Sequence, residues 1–262
     1  KVVISSRDQA ALDLLAQELR AKGYEATGIA CHVGKMDQLA HLVSATIATY
    51  GQIDILVNNA ATNPTFGPIH DTSLDAFDKI MNVNLKAPFE LMRLCLPHLQ
   101  KSSNASVINI SSVGGISPEP GLGIYSVSKA ALISMTKAFA KEWGSFNIRV
   151  NAICPGLIKT KFSEALWSDD KILQHTLRQL PIKRIGTPEE IGATALYLAA
   201  PGASYTTGAV ITADGGYRNA QIVPFKTAYT DPALDNYVPV NVALRMLEDR
   251  LGGADLGLSD ST

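Results

Sequence analysis

Hydrophobic and polar positions along this chain fall into blocks whose period switches between two values. VVISS at 2–6 is a short apolar run of β-formers, the pattern of a buried strand. From Asp8 to Lys22 the period turns helical, with Ala11, Leu12, Leu15 and Leu19 on one predicted face. Asp8 suits the N-cap of that helix and Gly23 its C-terminal stop. The exchange then recurs. Strands are predicted at 26–33, 53–59, 105–112, 147–153 and 209–214, with helices at 36–50, 73–100, 125–143 and 188–199. Continuous apolar strands alternating with helices predict an α/β fold. Its parallel sheet is covered on both faces and doubly wound by right-handed crossovers, giving three αβα layers.

Two stretches break the alternation. Residues 155–187 carry Pro155-Gly156, Trp167, Pro181 and Gly186, and a connection of that length in a compact domain is expected to be a lid or binding loop. Residues 219–262 follow the last strand, with one amphipathic stretch, Val242 to Leu251, stopped by Gly252-Gly253. The expected organisation is one domain over 1–218 and an extension over 219–262.

Bulk properties narrow the function classes. A net charge of −1 argues against nucleic acid as a partner, because phosphate binding needs a basic surface. No apolar run approaches the roughly 20 residues that span a bilayer, so no membrane role is expected. Cys31, Cys95 and Cys154 form no CxxC pair, so neither a zinc site nor a disulfide framework is expected, and a reducing cytoplasm is the default compartment.

The chemistry gathers around YSVSK at 125–129. Tyr125 and Lys129 are four residues apart at a helix start, hence on one face. An ammonium beside a phenol favours the phenolate, and a tyrosine poised in this way exchanges a proton with a carbonyl or alcohol oxygen. Ser111 and Ser112 end the strand at 105–112, where ligands of doubly wound sheets bind. Asn84 stands inside the long predicted helix 73–100, a poor helical choice that suggests a local kink holding a water. Asn59 with the small Ala60 and Ala61 ends another strand, either as a turn or as a close approach for a flat cofactor. Pro155-Gly156 forces a turn after 147–153, with Thr160 beyond it.

Taken in order, NNAA, NVNLK, NISS, YSVSK, NIRVNAICPGLIKT and GAVITADGG resemble the short-chain dehydrogenase/reductase family, over residues 1 to about 218. The resemblance implies a Rossmann-like sheet and a tetrad of Asn84, Ser112, Tyr125 and Lys129. Ser112 is taken before Ser111 for its spacing to the tyrosine. Lys129 is also implied to hold the nicotinamide ribose, and Thr160 the carboxamide. Asn59, Ala60, Tyr125, Pro155, Gly156 and Ile158 complete the implied cofactor contacts at that end. CHVGK, NAATNPTFG, SPEPGLGIYSVSK and PGLIKTKFS are similar to a narrower branch, the NADPH-dependent carbonyl reductases and retinol dehydrogenases of peroxisomes. The chain ends in DST rather than a peroxisomal signal, which leaves the cytoplasm as the expectation.

The family opens with a strand and a glycine-rich turn, TGxxxGxG, that cradles a pyrophosphate. No such turn stands here, and KVVISSR is similar to the family's second strand. The first β-α unit is therefore expected to be lacking, either because the sequence is incomplete or by natural truncation with impaired cofactor binding. Its loss should leave a gap in the sheet or force the sheet to close. At the end of the first strand an acid would bond the 2′-hydroxyl of NAD, whereas an arginine accommodates a 2′-phosphate. Ser6 and Arg7 thus point to NADP(H), with NAD(H) second. His32 stands where the family has an acid next to the adenine, and Val33 can pack on that ring.

The resulting expectation is an oxidoreductase moving a hydride between NADP(H) and a carbonyl or secondary alcohol. Leu157, Phe162, Leu166 and Trp167 of the lid suggest a small lipophilic substrate. A homodimer or homotetramer through 73–100 and 125–143 is implied, with Phe139, Ala140 and Trp143 serving that contact or the core. The alternative of another class is a non-catalytic oligomeric scaffold.

Overall fold

The computed structural model describes residues 1–218; the extension predicted at 219–262 lies outside the described residues. Among the described residues there are six strands, all parallel to their partners: β1 (Val2–Ser6), β2 (Ala26–Ala30), β3 (Ile55–Asn58), β4 (Ser106–Ile110), β5 (Arg149–Pro155) and β6 (Val210–Ala213). The helices are α1 (Gln9–Ala21), α2 (Met36–Tyr50), α3 (Leu74–Met81), α4 (Ala87–Leu99), α5 (Gly123–Trp143), α6 (Glu164–Trp167), α7 (Asp170–Gln179) and α8 (Pro188–Ala199).

β1 pairs with β2 alone, while β3, β4, β5 and β6 form a separate four-stranded sheet in that order. Of the two outcomes expected for the sheet, the gap is the one found. β3 has a neighbour on one side only, and its Ile55 and Val57 are 42% and 46% exposed. One core nevertheless runs from Cys31, just past β2, to the larger sheet. Leu39 and Val43 of α2 pack with Leu91, Met92, Cys95 and Leu99 of α4, over Val107 of β4 and Val150 of β5. Ile108 and Ile153 point to the other face and meet Leu198 of α8. The layers are therefore helix, sheet and helix, as the unbroken apolar strands predict.

Among the differences from the pattern, three bear on the site. On α1 the buried residues are Leu12 and Ala16, and Leu15 is 44% exposed, because the helix rests on a sheet of only two strands. The helix predicted over 73–100 is three segments: α3, a π-helical turn at Asn82–Lys86, and α4. β5 runs on to Pro155, since β6 pairs with it as far as that residue.

Candidate active site

The strands of the larger sheet deliver their C-terminal ends to one edge, where α5 begins. Asp8 accepts from the Ala11 amide and caps α1, showing that the strand-to-helix turns are locally encoded. At the end of β4 the chain makes a tight turn, Val113–Gly115, which Ser112 starts by accepting from the Gly114 amide at 3.1 Å. Gly115 lies so close to α5 that a Cβ there would meet the Lys129 carbonyl carbon at 2.7 Å. That contact holds the serine turn against the helix bearing Tyr125 and Lys129.

The two serines part company. Ser111 is buried and donates to the Lys129 carbonyl at 2.8 Å, so its hydroxyl is used within the scaffold. Ser112 lies beside the Tyr125 phenol. Tyr125 and Lys129 share a face of α5, with Nζ 5.7 Å from the ring centroid. Lys129 is nevertheless 2% exposed, and its Nζ donates to the Ile110 carbonyl at 2.7 Å.

The expected lowering of the phenol by the lysine is not what the geometry produces. Burial pushes Tyr125 above its ordinary value, and the neighbour that draws it down is Ser112. Burial acts on the lysine as well, taking it down from 10.5 to about 8, with Cys154 acting weakly the other way. The Cys154 thiol is itself raised by burial, against Ser111, Ser112, Lys129 and Arg218. Desolvation therefore outweighs charge coupling throughout this cluster.

Asn84 is fully buried in the π-helical turn. Its Oδ1 accepts from the Thr62 amide at 2.8 Å, and its Nδ2 donates to the Thr62 carbonyl at 3.0 Å and to Ser128 Oγ at 3.0 Å. Ser128 in turn donates to the Tyr125 carbonyl at 2.7 Å. Both donors of the Asn84 side chain are thus in use. It ties the loop after β3 to the turn of α5 that carries the tyrosine.

At the far end, a cavity of about 560 Å³ opens beyond β1 and β2, lined by Arg7, Ala30, Cys31, His32, Asp37, Gln38 and His41. Arg7 and His32 thus line one cavity. Ser6 caps locally, accepting from the Asp8 amide at 3.4 Å, and Val33 packs against the α2–α4 core. Asn59 and Ala60 are exposed beyond β3, and their neighbour Asn58 is the buried one. Asn58 donates to Asn109 at 2.8 Å, and Asn109 to Thr136 at 2.9 Å, a buried polar ladder missed because polar residues inside apolar runs look accidental. Gly156 donates to the Ala213 carbonyl at 3.0 Å, so Pro155-Gly156 ends β5 against β6. Ile158 bridges to Gly186 across the lid base. Thr160 caps the next turn, and its hydroxyl meets Ser163 Oγ at 3.0 Å.

The Phe162 ring centroid lies 6.1 Å from that of Tyr125. Trp167 is engaged within the lid, donating to the Thr160 carbonyl at 2.9 Å. The turn after β6 was also missed. Asp214 accepts from the Gly216 and Arg218 amides at 2.9 and 3.0 Å, and Gly215 accepts from Ile182 at 3.1 Å, fastening the lid's end. Tyr217 lies beside Glu119, and burial together with that carboxylate pushes its phenol up to about 12.

With this geometry in view, the comparisons are decisive at family level. A family model described as enoyl-(acyl carrier protein) reductase matches residues 1–218. The chain belongs to the short-chain dehydrogenase/reductase family. It is similar to dehydrogenase/reductase SDR family member 4 of Oryctolagus cuniculus, 42% identical over 215 residues, covering 82% of this chain and 83% of the relative. Tropinone reductase-like 3 of Erythroxylum coca is 38% identical and covers 82% of each chain. Among solved structures, a gluconate 5-dehydrogenase from Burkholderia cenocepacia in complex with NADP and tartrate is 27% identical, with a TM-score of 0.79, covering 83% of this chain and 85% of that one. Members of this family are oxidoreductases that bind a nicotinamide cofactor. The residues here fit such a group at two ends: guanidinium and imidazole donors line the cavity past β1 and β2, and Tyr125, Ser112 and Lys129 gather at the edge of the larger sheet. Among the described residues no cluster of metal-ligating side chains occurs, and no helix is long and apolar enough to cross a membrane.

Proposed function

We propose that this chain reduces carbonyl compounds to secondary alcohols, or runs the reverse reaction, with NADP(H), and that Tyr125 exchanges the proton at the substrate oxygen. The observation that carries the proposal is the meeting of Ser112, at the start of the turn after β4, with Tyr125 and Lys129 on α5. Bound NADP(H) supplies or accepts the hydride. Tyr125, held above its ordinary value by burial, is a fully protonated phenol at neutral pH and suits donation to a carbonyl oxygen. Ser112 orients that oxygen from the adjoining turn. Lys129, the one buried cation of α5, holds the nicotinamide ribose. Arg7 favours a 2′-phosphate over the free hydroxyl of NAD(H). Phe162, 59% exposed beside Tyr125, gives the substrate an apolar wall and favours lipophilic ketones. The narrower likeness to carbonyl reductases and retinol dehydrogenases fits this reading.

NADPH oxidation by the chain with a panel of apolar ketones tests it. Tyr125→Phe should lower kcat by about 100-fold or more. The Kd for NADPH, read from nicotinamide fluorescence, should stay within about twofold of the native value. A Tyr125→Phe enzyme that turns over at the native rate removes the tyrosine from the chemistry.

A further inference from the structure

The cavity past β1 and β2 holds one imidazole whose tautomer the backbone selects. His32 follows β2, and its own amide donates to Gln38 Oε1 at 2.7 Å. Its ring lies against Gly34, where an added Cβ would come within 3.0 Å of Cε1. The Gly34 amide donates to His32 Nδ1 at 3.1 Å, and Asn82 donates to the Gly34 carbonyl at 2.8 Å. An amide hydrogen aimed at Nδ1 makes that nitrogen the acceptor, so the ring proton sits on Nε2. His32 therefore has Nε2–H as its one ring donor, and the residue lines the cavity together with Arg7.

A carboxylate at this position would have the opposite polarity. It accepts, and so selects a base carrying an exocyclic amino group, as adenine does. A donor is satisfied instead by ring nitrogens or by a carbonyl oxygen, and 6-oxopurines carry both. We propose that His32 reads the cofactor's base through its Nε2–H, so that this site accepts a hypoxanthine dinucleotide about as well as the adenine one. The inference rests on the nicotinamide-cofactor reading above and adds the class of base. Asp37, which also lines the cavity on the first turn of α2, is the competing acceptor.

Fluorescence titration of the full chain with NADPH and with its hypoxanthine analogue decides the matter without turnover. The two Kd values should agree within about threefold in the native protein. His32→Asp should tilt the ratio toward adenine by about tenfold or more, and His32→Gln, which keeps a donor, should leave it near native. Unchanged melting temperatures exclude misfolding as the cause. The proposal is overturned if the native chain already prefers adenine more than about tenfold, if His32→Asp leaves the ratio unmoved, or if Asp37→Asn moves it instead. Failure of both dinucleotides to bind at all overturns the cofactor reading itself, a result distinct from equal binding that ignores residue 32.

Discussion

Lys129 shows what burial does to a functional residue. An ammonium that is 2% exposed, with one backbone carbonyl as its partner, carries a desolvation penalty visible in its fall from 10.5 to about 8. The sign follows from proton linkage. Below about 8 both the folded and unfolded chains hold the proton, and the folded state bears the full penalty of about 3 kcal/mol. Between about 8 and 10.5 the unfolded chain holds more protons, so this group makes stability rise with pH. Lys129→Met keeps the packing stem and loses one hydrogen bond to Ile110, at a cost of about 1 kcal/mol. The variant should therefore be about 2 kcal/mol more stable than native at pH 7 in urea unfolding, with the gain disappearing toward pH 10.5, while turnover is lost. A variant less stable at pH 7 would show that the ammonium is compensated in the fold. Spacing alone revealed that Tyr125 and Lys129 share a face. It did not reveal that burial outweighs their coupling, because solvent exclusion here depends on β4, β5 and the Gly115 turn, which meet α5 only in three dimensions.

At the scale of elements, the π-helical turn between α3 and α4 converts a helix into a joint. Asn84 signalled it in the sequence as an asparagine amid helix formers, and the kink is there. Its purpose was hidden, because Thr62 and Ser128 lie 22 and 44 residues away. The saturated side chain predicts a structural outcome. Asn84→Ala strands the Thr62 amide and carbonyl, and should cost about 2–4 kcal/mol of stability along with turnover. Thermal and urea unfolding check this, with hydrogen exchange at Thr62 as the local readout. A variant of native stability with reduced kcat would return Asn84 to a purely proton-relaying role. The alternating strands and helices were legible, since apolar runs and 3.6-residue periods report burial directly, whereas α6 and α7, inside the stretch read as a long connection, were not. Element faces were less so: the buried stripe of α1 depends on how many strands lie beneath it, and the pattern of α1 itself holds no information on that.

For the whole molecule, the unbroken apolar strands predicted three layers, and β4 and β5 are buried almost end to end. What periodicity left open was which apolar side chains serve the core and which face outward. Ala140 and Trp143 belong to the core, with Phe139 packed edge-on to Trp143 at 4.6 Å. The next ring in that line, Phe89, is 45% exposed, and Leu74 is 81% exposed. Phe89 borders a groove of about 1040 Å³ between α3, α4 and α5, with Met81, Leu85, Ala131 and Met135 supplying apolar walls and Asp78, Lys79 and Lys86 at its rim. Opposite charges around an apolar floor suit a self-complementary contact, in which each copy presents the same patch. We therefore propose that the chain associates with itself through this groove. Ser134 sits exposed on its wall and makes no contact the fold requires, so Ser134→Arg is a clean probe. Light scattering after size exclusion should give a dimer or larger for the native chain and a monomer for Ser134→Arg. The tryptophan emission of buried Trp143 should stay native, because the substitution adds bulk only outside the core. A native chain that is monomeric at micromolar concentration, or a Ser134→Arg variant of unchanged mass, removes this groove as the contact.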